Sequence, residues 1–190
     1  DKTINCEVLL SYDTTTKPDR LIAIAEKVFT KVHTFQYNQP PLKERKWPQA
    51  SNWAFHECAR EVMHRVTTGQ ITSKSWLWLE SDCVPIKAGW FEAVKKCHEE
   101  GGKPFTGHWN HQTKVWNGVS VYPWNTPIYG SKLMLVINNP WDVLASSDIL
   151  PHLNIANHLF QHIWYDHETK EPYTFPNQET VRRVIRPGVV

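Results

Sequence analysis

The chain has 190 residues, the size of one domain that can bury about 70% of its unfolded surface. Its 21 Lys and Arg against 19 Asp and Glu give a formal net charge of +2, and 41% of its residues are hydrophobic. This balance excludes a disordered chain and a strongly basic binder of nucleic acid.

Two further features concern the environment of the protein. No run approaches the roughly 18 to 20 apolar residues of a membrane span, and residues 1–5 (DKTIN) lack the basic and then apolar build of a signal peptide. We therefore expect a cytoplasmic protein that does not contact membranes. The four cysteines are far apart in apolar patterns, which favours free buried thiols over two disulfides: Cys6, Cys58, Cys83 and Cys97.

The first third of the chain predicts a strand, a helix, a strand and a second helix. Residues 5–12 (NCEVLLSY) are rich in strand formers, residues 19–30 carry apolar side chains at helical spacing, and residues 32–37 alternate with a period of two. Ser51 is expected to cap the second helix, and Gly69 is expected to end it.

The same alternation continues along the chain. Residues 76–79 (WLWL) form a continuous apolar run, which is typical of a central parallel strand covered on both faces. A helix that contains Trp90 and ends at Gly101-Gly102 follows. The remaining predictions are strands at 105–109 and 115–122, a helical turn led by Pro140, a helix or a strand at 133–137 and again at 155–165, and a short apolar and basic tail at 181–190.

Strands that alternate with helices of this length predict one α/β domain over residues 1–190. Its central sheet should be Rossmann-like, mostly parallel and flanked by helices. A ligand site is then expected beyond the carboxyl ends of the strands.

The sharpest chemical signal is a pair of acids directly after the apolar run, Glu80 and Asp82. If the strand continues through them, both side chains point to the same side. Two such carboxylates repel each other unless a cation lies between them, and Mg²⁺ or Mn²⁺ carrying a phosphate suits hard oxygen ligands of this kind. The alternative is a pair of solvated loop acids.

The order of these motifs resembles the nucleotide-sugar glycosyltransferases of the GT-A fold, in particular a bacterial and phage-encoded group. Residues 76–94 (WLWLESDCVPIKAGWFEAV) are similar to their acid motif and the helix after it, and residues 47–53 (WPQASNW) to their donor-facing loop. Residues 117–123 (NGVSVYP) resemble their acceptor-side strand. Residues 140–143 (PWDV) and 159–162 (LFQH) resemble their late acid and late metal-ligand histidine.

The resemblance implies a glycosyltransferase of the hexosyltransferase type, with Mn²⁺ or Mg²⁺ as cofactor and a nucleotide-sugar donor, a UDP-sugar in the first place. It places the donor at Ser11, Tyr12, Asp13, Asn52, Glu80, Ser81 and Asp82. It places the acceptor beside Asn117 and Gly118, the metal on Asp82, His162 and Glu80, and the general base at Asp142, with Asp148 as the alternative. The acceptor is a hydroxyl group of a glycan, of a small molecule or of a hydroxymethylated base in phage DNA.

Two departures from the family pattern concern the metal and the acceptor. Glu80 stands where the family usually has Asp, so direct metal ligation is expected mainly from Asp82. At 190 residues the chain is short for the fold, and its C-terminal acceptor region is thin.

Several predicted site residues have a structural alternative. Asp142 equally fits an ordinary acid at a helix N-terminus, where the helix dipole favours it. Asn52 can instead assist the cap at Ser51, and residues 11–13 can be a simple turn from strand to helix. A basic cluster either reaches the diphosphate or lies in a solvated loop: Lys43, Arg45 and Lys46.

Three other kinds of function stay open. A non-catalytic sugar- or base-stacking module would suit the ten Trp residues. A metal-dependent phosphoryl-transfer enzyme would share the acid pair, but no Gly precedes residue 50, so no Gly-rich phosphate loop is present there. A zinc site on His158, His162 and His167 lacks diagnostic spacing.

Overall fold

The structure is a computed structural model that describes residues 4–41, 45–80, 83–85, 88–130, 138–162 and 181–183. The described chain is a mixed α/β fold. Its helices are α1 (Asp19–Val28), α2 (Gln49–Thr67), α3 (Trp90–Gly101) and α4 (Trp141–Ile149). Its strands are β1 (Ile4–Asp13), β2 (Phe29–Tyr37), β3 (Ser75–Leu77), β4 (Cys83–Pro85), β5 (Phe105–Asn110), β6 (Val115–Pro123), β7 (Leu153–Ile155), β8 (Phe160–His162) and β9 (Val181–Arg183).

The described strands form three sheets. Strands β1 and β2 pair in parallel, with helix α1 as the crossover between them, which confirms the predicted opening of strand, helix and strand. A four-stranded sheet has the order β3-β6-β5-β7, and a three-stranded sheet has the order β4-β9-β8. The register of the first sheet sets Asp13 opposite Tyr37, so both strands end at the same edge.

The prediction of a mostly parallel central sheet is wrong, because the four-stranded sheet is mixed. Strand β6 is antiparallel to both β3 and β5, whereas β5 and β7 are parallel. The turn 111–114 is all that joins β5 to β6, and a parallel connection needs a crossover of a dozen or more residues. Strands β3, β5 and β7 therefore run in one direction and β6 runs in the other.

The prediction for residues 76–79 is also wrong. Strand β3 ends at Leu77, pairs antiparallel with β6, and stands at one end of the described four-stranded sheet. Its three residues are half-buried. The apolar run reflects aromatic packing of Trp76 and Trp78 against the core rather than a central position in the sheet.

Helix boundaries agree with the sequence in part. Helix α2 begins at Gln49 after Pro48, so Ser51 lies inside it and is not its cap. Gly69 follows α2 and Gly102 follows α3 with φ of 75° and 63°, the left-handed conformation expected after a helix. Of the segments that fitted either element, 155–165 contains the end of β7 and all of β8, and 133–137 lies outside the described residues.

An aromatic cluster occupies the core between α2, α4 and the four-stranded sheet. The rings of Phe55 and Trp141 stack at 3.8 Å between centroids with an interplanar angle of 9°, and Trp116 meets Trp141 edge to face at 5.6 Å. The members of this aromatic cluster are Phe55, Trp76, Trp78, Phe105, Trp109, Trp116, Tyr122, Tyr129 and Trp141. The cluster explains five of the ten Trp residues as packing groups.

The cysteines and the helices bear on two further predictions. All four cysteines are free, as predicted, and burial raises the pKa of the Cys58 thiol to about 12. Among the described residues, no helix combines the length and the apolar character needed to cross a membrane.

Partly buried histidines make the fold sensitive to acid. His98 lies between the hydroxyl groups of Ser75 and Thr106, with N···O distances of 2.8 and 2.9 Å. Burial lowers the pKa of His98, and also those of His56 and His108. Since the unfolded chain then binds more protons than the folded one, stability is retained above about pH 6.5 and falls as the pH drops below it.

This expectation can be measured by urea unfolding at pH 7.5 and pH 5. The midpoint should be lower at pH 5, and His98→Gln should reduce the difference, whereas the same change at the exposed His64 should not. Equal midpoints at both pH values in the native protein would contradict the linkage.

Candidate functional site

A cleft of ≈ 180 Å³ lies where the carboxyl ends of β1 and β2 meet the first turn of α2. It is lined by Asp13, Tyr37, Gln39, Pro40, Arg45 and Ala50. Burial raises the pKa of the Tyr37 phenol to about 12, so the hydroxyl is neutral. The cleft occupies the position where parallel strands in α/β folds usually present a ligand site.

Asp13 anchors one wall of this cleft. Its Oδ1 accepts hydrogen bonds from the backbone N–H of Thr15 at 2.9 Å and from the hydroxyls of Thr15 and Thr16 at 2.7 and 2.9 Å. Its Oδ2 accepts from Gln39 Nε2 at 2.8 Å. The hydrogen bond from Gln39, followed by those from the threonines, holds the pKa of Asp13 well below its usual range. The carboxylate is therefore ionised and largely engaged by its own neighbours.

Gln39 is a cleft residue that the sequence analysis missed. Its amide nitrogen donates to Asp13 Oδ2 and, at 3.1 Å, to Thr15 Oγ1. Because a carboxylate can only accept, the nitrogen must face Asp13 and the carbonyl oxygen must point elsewhere. That oxygen accepts no hydrogen bond from the described residues. Gln39, a residue of the cleft wall, thus keeps an acceptor that no described residue engages.

A second group of predicted residues meets at the carboxyl end of β3, and we call it the Asp142 cluster: Glu80, Gly118, Tyr122 and Asp142. The backbone N–H of Trp78 donates to Ser120 O at 3.0 Å, which continues the pairing of β3 with β6 and carries the chain toward Gly118. Gly118 N–H donates to Asp142 Oδ2 at 3.0 Å, and Tyr122 Oη donates to Gly118 O at 2.5 Å. The predicted acceptor strand and the predicted general base are therefore in direct contact.

Glu80 is assigned to the same cluster because its charge acts on the pKa of Tyr122. Burial, then the charge of Asp142, then the charge of Glu80 raise the pKa of this phenol well above its usual range. The carboxylates of Asp142 and Glu80 therefore both lie near this one buried hydroxyl.

Gly118 is required by close packing. A Cβ at this position would lie 2.7 and 2.8 Å from Cζ2 and Cη2 of Trp141 and 3.2 Å from Asp142 Oδ2. The glycine lets the start of α4 approach strand β6. The neighbouring Asn117 is 6% exposed, and its Oδ1 accepts from Val119 N–H at 3.0 Å, so its side chain bonds to the backbone of its own strand.

The predicted acid pair is only partly described. The backbone N–H of Cys83 donates to Glu80 O at 2.9 Å. Strand β3 ends at Leu77, so the expectation that the strand continues as far as Glu80 is wrong, whereas the common direction of the two acids stays a prediction. Ser81 and Asp82 lie outside the described residues.

Other predicted site residues are distributed as follows. Ser11 and Tyr12 are half-buried near the end of β1, and Asp148 is half-buried on α4, where its Oδ1 accepts from Ser147 Oγ at 3.2 Å. Arg45 reaches the cleft, and its Nε donates to Pro40 O at 3.0 Å. The backbone of His162 belongs to β8, but its side chain, together with the whole of Lys43 and His167, lies outside the description.

Asn52 is placed differently from its prediction. It is 2% exposed, its Nδ2 donates to Asn139 O at 2.9 Å, and its Oδ1 accepts from Trp141 N–H at 3.0 Å. These bonds connect α2 to the start of α4. They do not support the alternative in which Asn52 assists a helix cap at Ser51. The first turn of α2 has two neighbours. Ala50 in this turn lines the cleft, and Asn52 in the same turn contacts Trp141, the residue before Asp142.

The residues present fit a divalent cation only in part. Of the three predicted ligands, Glu80 alone has a described side chain, and with Asp142 it supplies hard carboxylate oxygens of the type that Mg²⁺ and Mn²⁺ prefer. Within the described ranges, no group of three or more His, Cys, Asp or Glu side chains is arranged to hold a metal. The metal stays a prediction.

Comparison with known proteins adds no assignment to this geometry. No family model, no curated protein and no solved structure matches the chain.

Proposed function

We propose that the protein is a metal-dependent glycosyltransferase of the GT-A type, which transfers a sugar from a nucleoside diphosphate to a hydroxyl group. One observation supports this most. Residues predicted from separate segments lie around the first turn of α2: Asp13 in the cleft on one side, and the Asp142 cluster, with Gly118 and Glu80, on the other. Such an arrangement suits a donor and an acceptor that must meet.

In this proposal the cleft takes the nucleotide. The Gln39 carbonyl would accept from a ring N–H, which uracil, thymine and guanine carry on the edge where cytosine and adenine carry a lone pair. A base that presents a lone pair would leave this acceptor without a partner, which costs affinity. Arg45 and the N-terminus of α2 add positive charge that suits a diphosphate. These features favour a uracil, thymine or guanine nucleotide, a class that includes the predicted UDP-sugar.

In the same proposal Asp142 is the general base. Its Oδ2 is held by Gly118 N–H and its Oδ1 by the N–H of Val143 at 2.9 Å, so the carboxylate is fixed before substrate binds. The acceptor oxygen forms a bond to the anomeric carbon, the bond from that carbon to the diphosphate breaks, and the hydroxyl proton passes to Asp142. A bound Mn²⁺ or Mg²⁺, for which Glu80, Asp82 and His162 are the predicted ligands, would supply positive charge near the diphosphate.

A second candidate function is a sugar- or base-stacking module without catalysis. Trp47 favours it, because the residue is 64% exposed and lies in sequence between two cleft residues, Arg45 and Ala50. Aromatic faces of this kind stack on sugars and bases. Such a module would have no use for the carboxylates of the Asp142 cluster.

The donor proposal predicts selective stabilisation by nucleotides. With Mn²⁺ present, UDP or GDP at 100 times its dissociation constant should stabilise the protein by about 2.7 kcal/mol. CDP and ADP at the same concentration should stabilise it less. The measurement is a thermal shift series with UDP, GDP, CDP and ADP, with Mn²⁺ or with EDTA.

Each part of the proposal fails on a different outcome. Equal stabilisation with EDTA and with Mn²⁺ would contradict the metal requirement. Equal stabilisation by UDP and CDP would contradict the role of Gln39. If none of the four nucleotides stabilises the protein, the proposal of a glycosyltransferase fails. The variant Gln39→Leu should lose the preference for UDP over CDP, whereas Gln36→Leu, at an exposed position on β2, should keep it.

A further inference from the structure

Asn52 is a buried amide whose two ends are both engaged. With 2% of its surface exposed, it donates to Asn139 O and accepts from Trp141 N–H. Because the side chain is 2% exposed, a sugar donor could contact it only if the residues that cover it moved and these bonds were disturbed. Leaving a buried polar group unpaired costs on the order of 1–3 kcal/mol, so a direct contact with the donor is disfavoured.

The two partners of Asn52 stand directly before Asp142 in the chain. They flank Pro140, the N-cap residue of α4. One turn further along α2, Phe55 stacks on the ring of Trp141 at 3.8 Å. Helix α2 therefore contacts the start of α4 through two side chains, the amide of Asn52 and the ring of Phe55.

The same turn of α2 also borders the cleft. Ala50 lines the cleft, and Asn52 follows it two positions later. The position of Asp142 relative to the cleft is thus fixed through this single turn of α2. On the opposite side, strand β6 holds the carboxylate through the hydrogen bond from Gly118 N–H to Asp142 Oδ2.

We propose that Asn52 is a positioning residue, which fixes Asp142 relative to the cleft and does not contact the donor. Its effect on the rate of sugar transfer rests on the proposed function. Its effect on the geometry of the Asp142 cluster does not, because the hydrogen bonds involved are present whatever the substrate is.

Amide hydrogen exchange at Gly118 tests the geometric part, because this N–H reports the bond to Asp142. In Asn52→Ala, protection of Gly118 N–H should fall by about fivefold or more, as expected for the loss of a hydrogen bond of ordinary strength. The amides of the β1–β2 ladder provide an internal reference for any general loss of stability. Ser51→Ala, an exposed position in the same turn, is the matched control and should leave Gly118 unchanged.

A second variant keeps the test decisive if Asn52→Ala does not fold. Asn52→Leu keeps about the same side-chain volume, removes both hydrogen bonds and buries no charge. Protection of Gly118 should fall in this variant as in Asn52→Ala. Unchanged protection of Gly118, relative to the β1–β2 ladder, in whichever variant folds would overturn the proposal.

Nucleotide binding separates a positioning role from a donor contact. By calorimetry with UDP and Mn²⁺, a positioning role leaves the dissociation constant of the variants within about threefold of the native value, whereas loss of a donor contact raises it about tenfold, equivalent to 1.4 kcal/mol. The rate of UDP release from a UDP-sugar should fall in the variants without a matching change in KM. If the native protein binds no UDP, the proposed function fails, and the exchange experiment still decides the role of Asn52.

Discussion

Replacement of Asp142 by Asn is expected to lower turnover by about 10²–10⁴-fold, the usual contribution of a general base. An Asn side chain is nearly the same size, and its carbonyl oxygen can still accept from Gly118 N–H, but it cannot take a proton from the acceptor hydroxyl. Binding of UDP with Mn²⁺ should therefore change little. The measurement is the rate of UDP release from a UDP-sugar together with UDP affinity, on protein whose fold is checked by circular dichroism.

Asp148→Asn is the matched control for this experiment. Asp148 lies on the same helix, six positions further on, and its Oδ1 is bonded to Ser147. Turnover should be close to native in this variant. If Asp148→Asn is inactive and Asp142→Asn is not, the base has been assigned to the wrong acid, and if both are active, the proposed mechanism fails.

Replacement of Trp141 by Ala should lower the free energy of unfolding by about 3–5 kcal/mol, as is usual when a large ring is removed from a core. The ring is 3% exposed, stacks on Phe55 and meets Trp116 edge to face. Its removal opens a cavity between α2 and strand β6, where backbone on both sides is held by regular secondary structure. Urea unfolding measures the effect.

Trp47→Ala offers a control with the same chemical change on the surface. Because Trp47 is 64% exposed, the expected change is within about 0.5 kcal/mol. Similar losses for the two variants would mean that the aromatic cluster does not carry the stability assigned to it. Trp141→Phe, which keeps a ring to stack on Phe55, should lie between them.

The elements with strong periodicity could be predicted from the sequence. Strands β1, β2, β5 and β6 and helices α1, α2 and α3 occur close to their predicted bounds, because side-chain spacing reports which face of an element is buried. Spacing does not report strand direction. The short turn 111–114 was the signal that β5 and β6 had to be antiparallel, since so few residues cannot form a crossover.

The site was predicted less well than the fold, for identifiable reasons. The end of β3 was invisible because Trp78 is as apolar as the strand before it, although it leaves the strand to pack on Phe55. Asn52 was expected to meet the donor or to assist a helix cap, because its partners stand 87 and 89 positions later in the chain and the local sequence does not show them. Gln39 could have been found, since the predicted parallel pairing of β1 with β2 already implied that residues after β2 would meet Asp13.

The long separation between Asn52 and its partners bears on how the protein is made. Strands β1 and β2 and helix α2 precede α4 in the chain, so the cleft wall can assemble before α4 is synthesised. At about 5–20 residues per second, the 87 positions between Asn52 and Asn139 take on the order of ten seconds to emerge from a ribosome. Throughout that interval the amide of Asn52 and the ring of Phe55 lack their native partners at residues 139 and 141. A nascent chain that ends before these residues therefore has an amide and an aromatic ring without these contacts at this turn of α2.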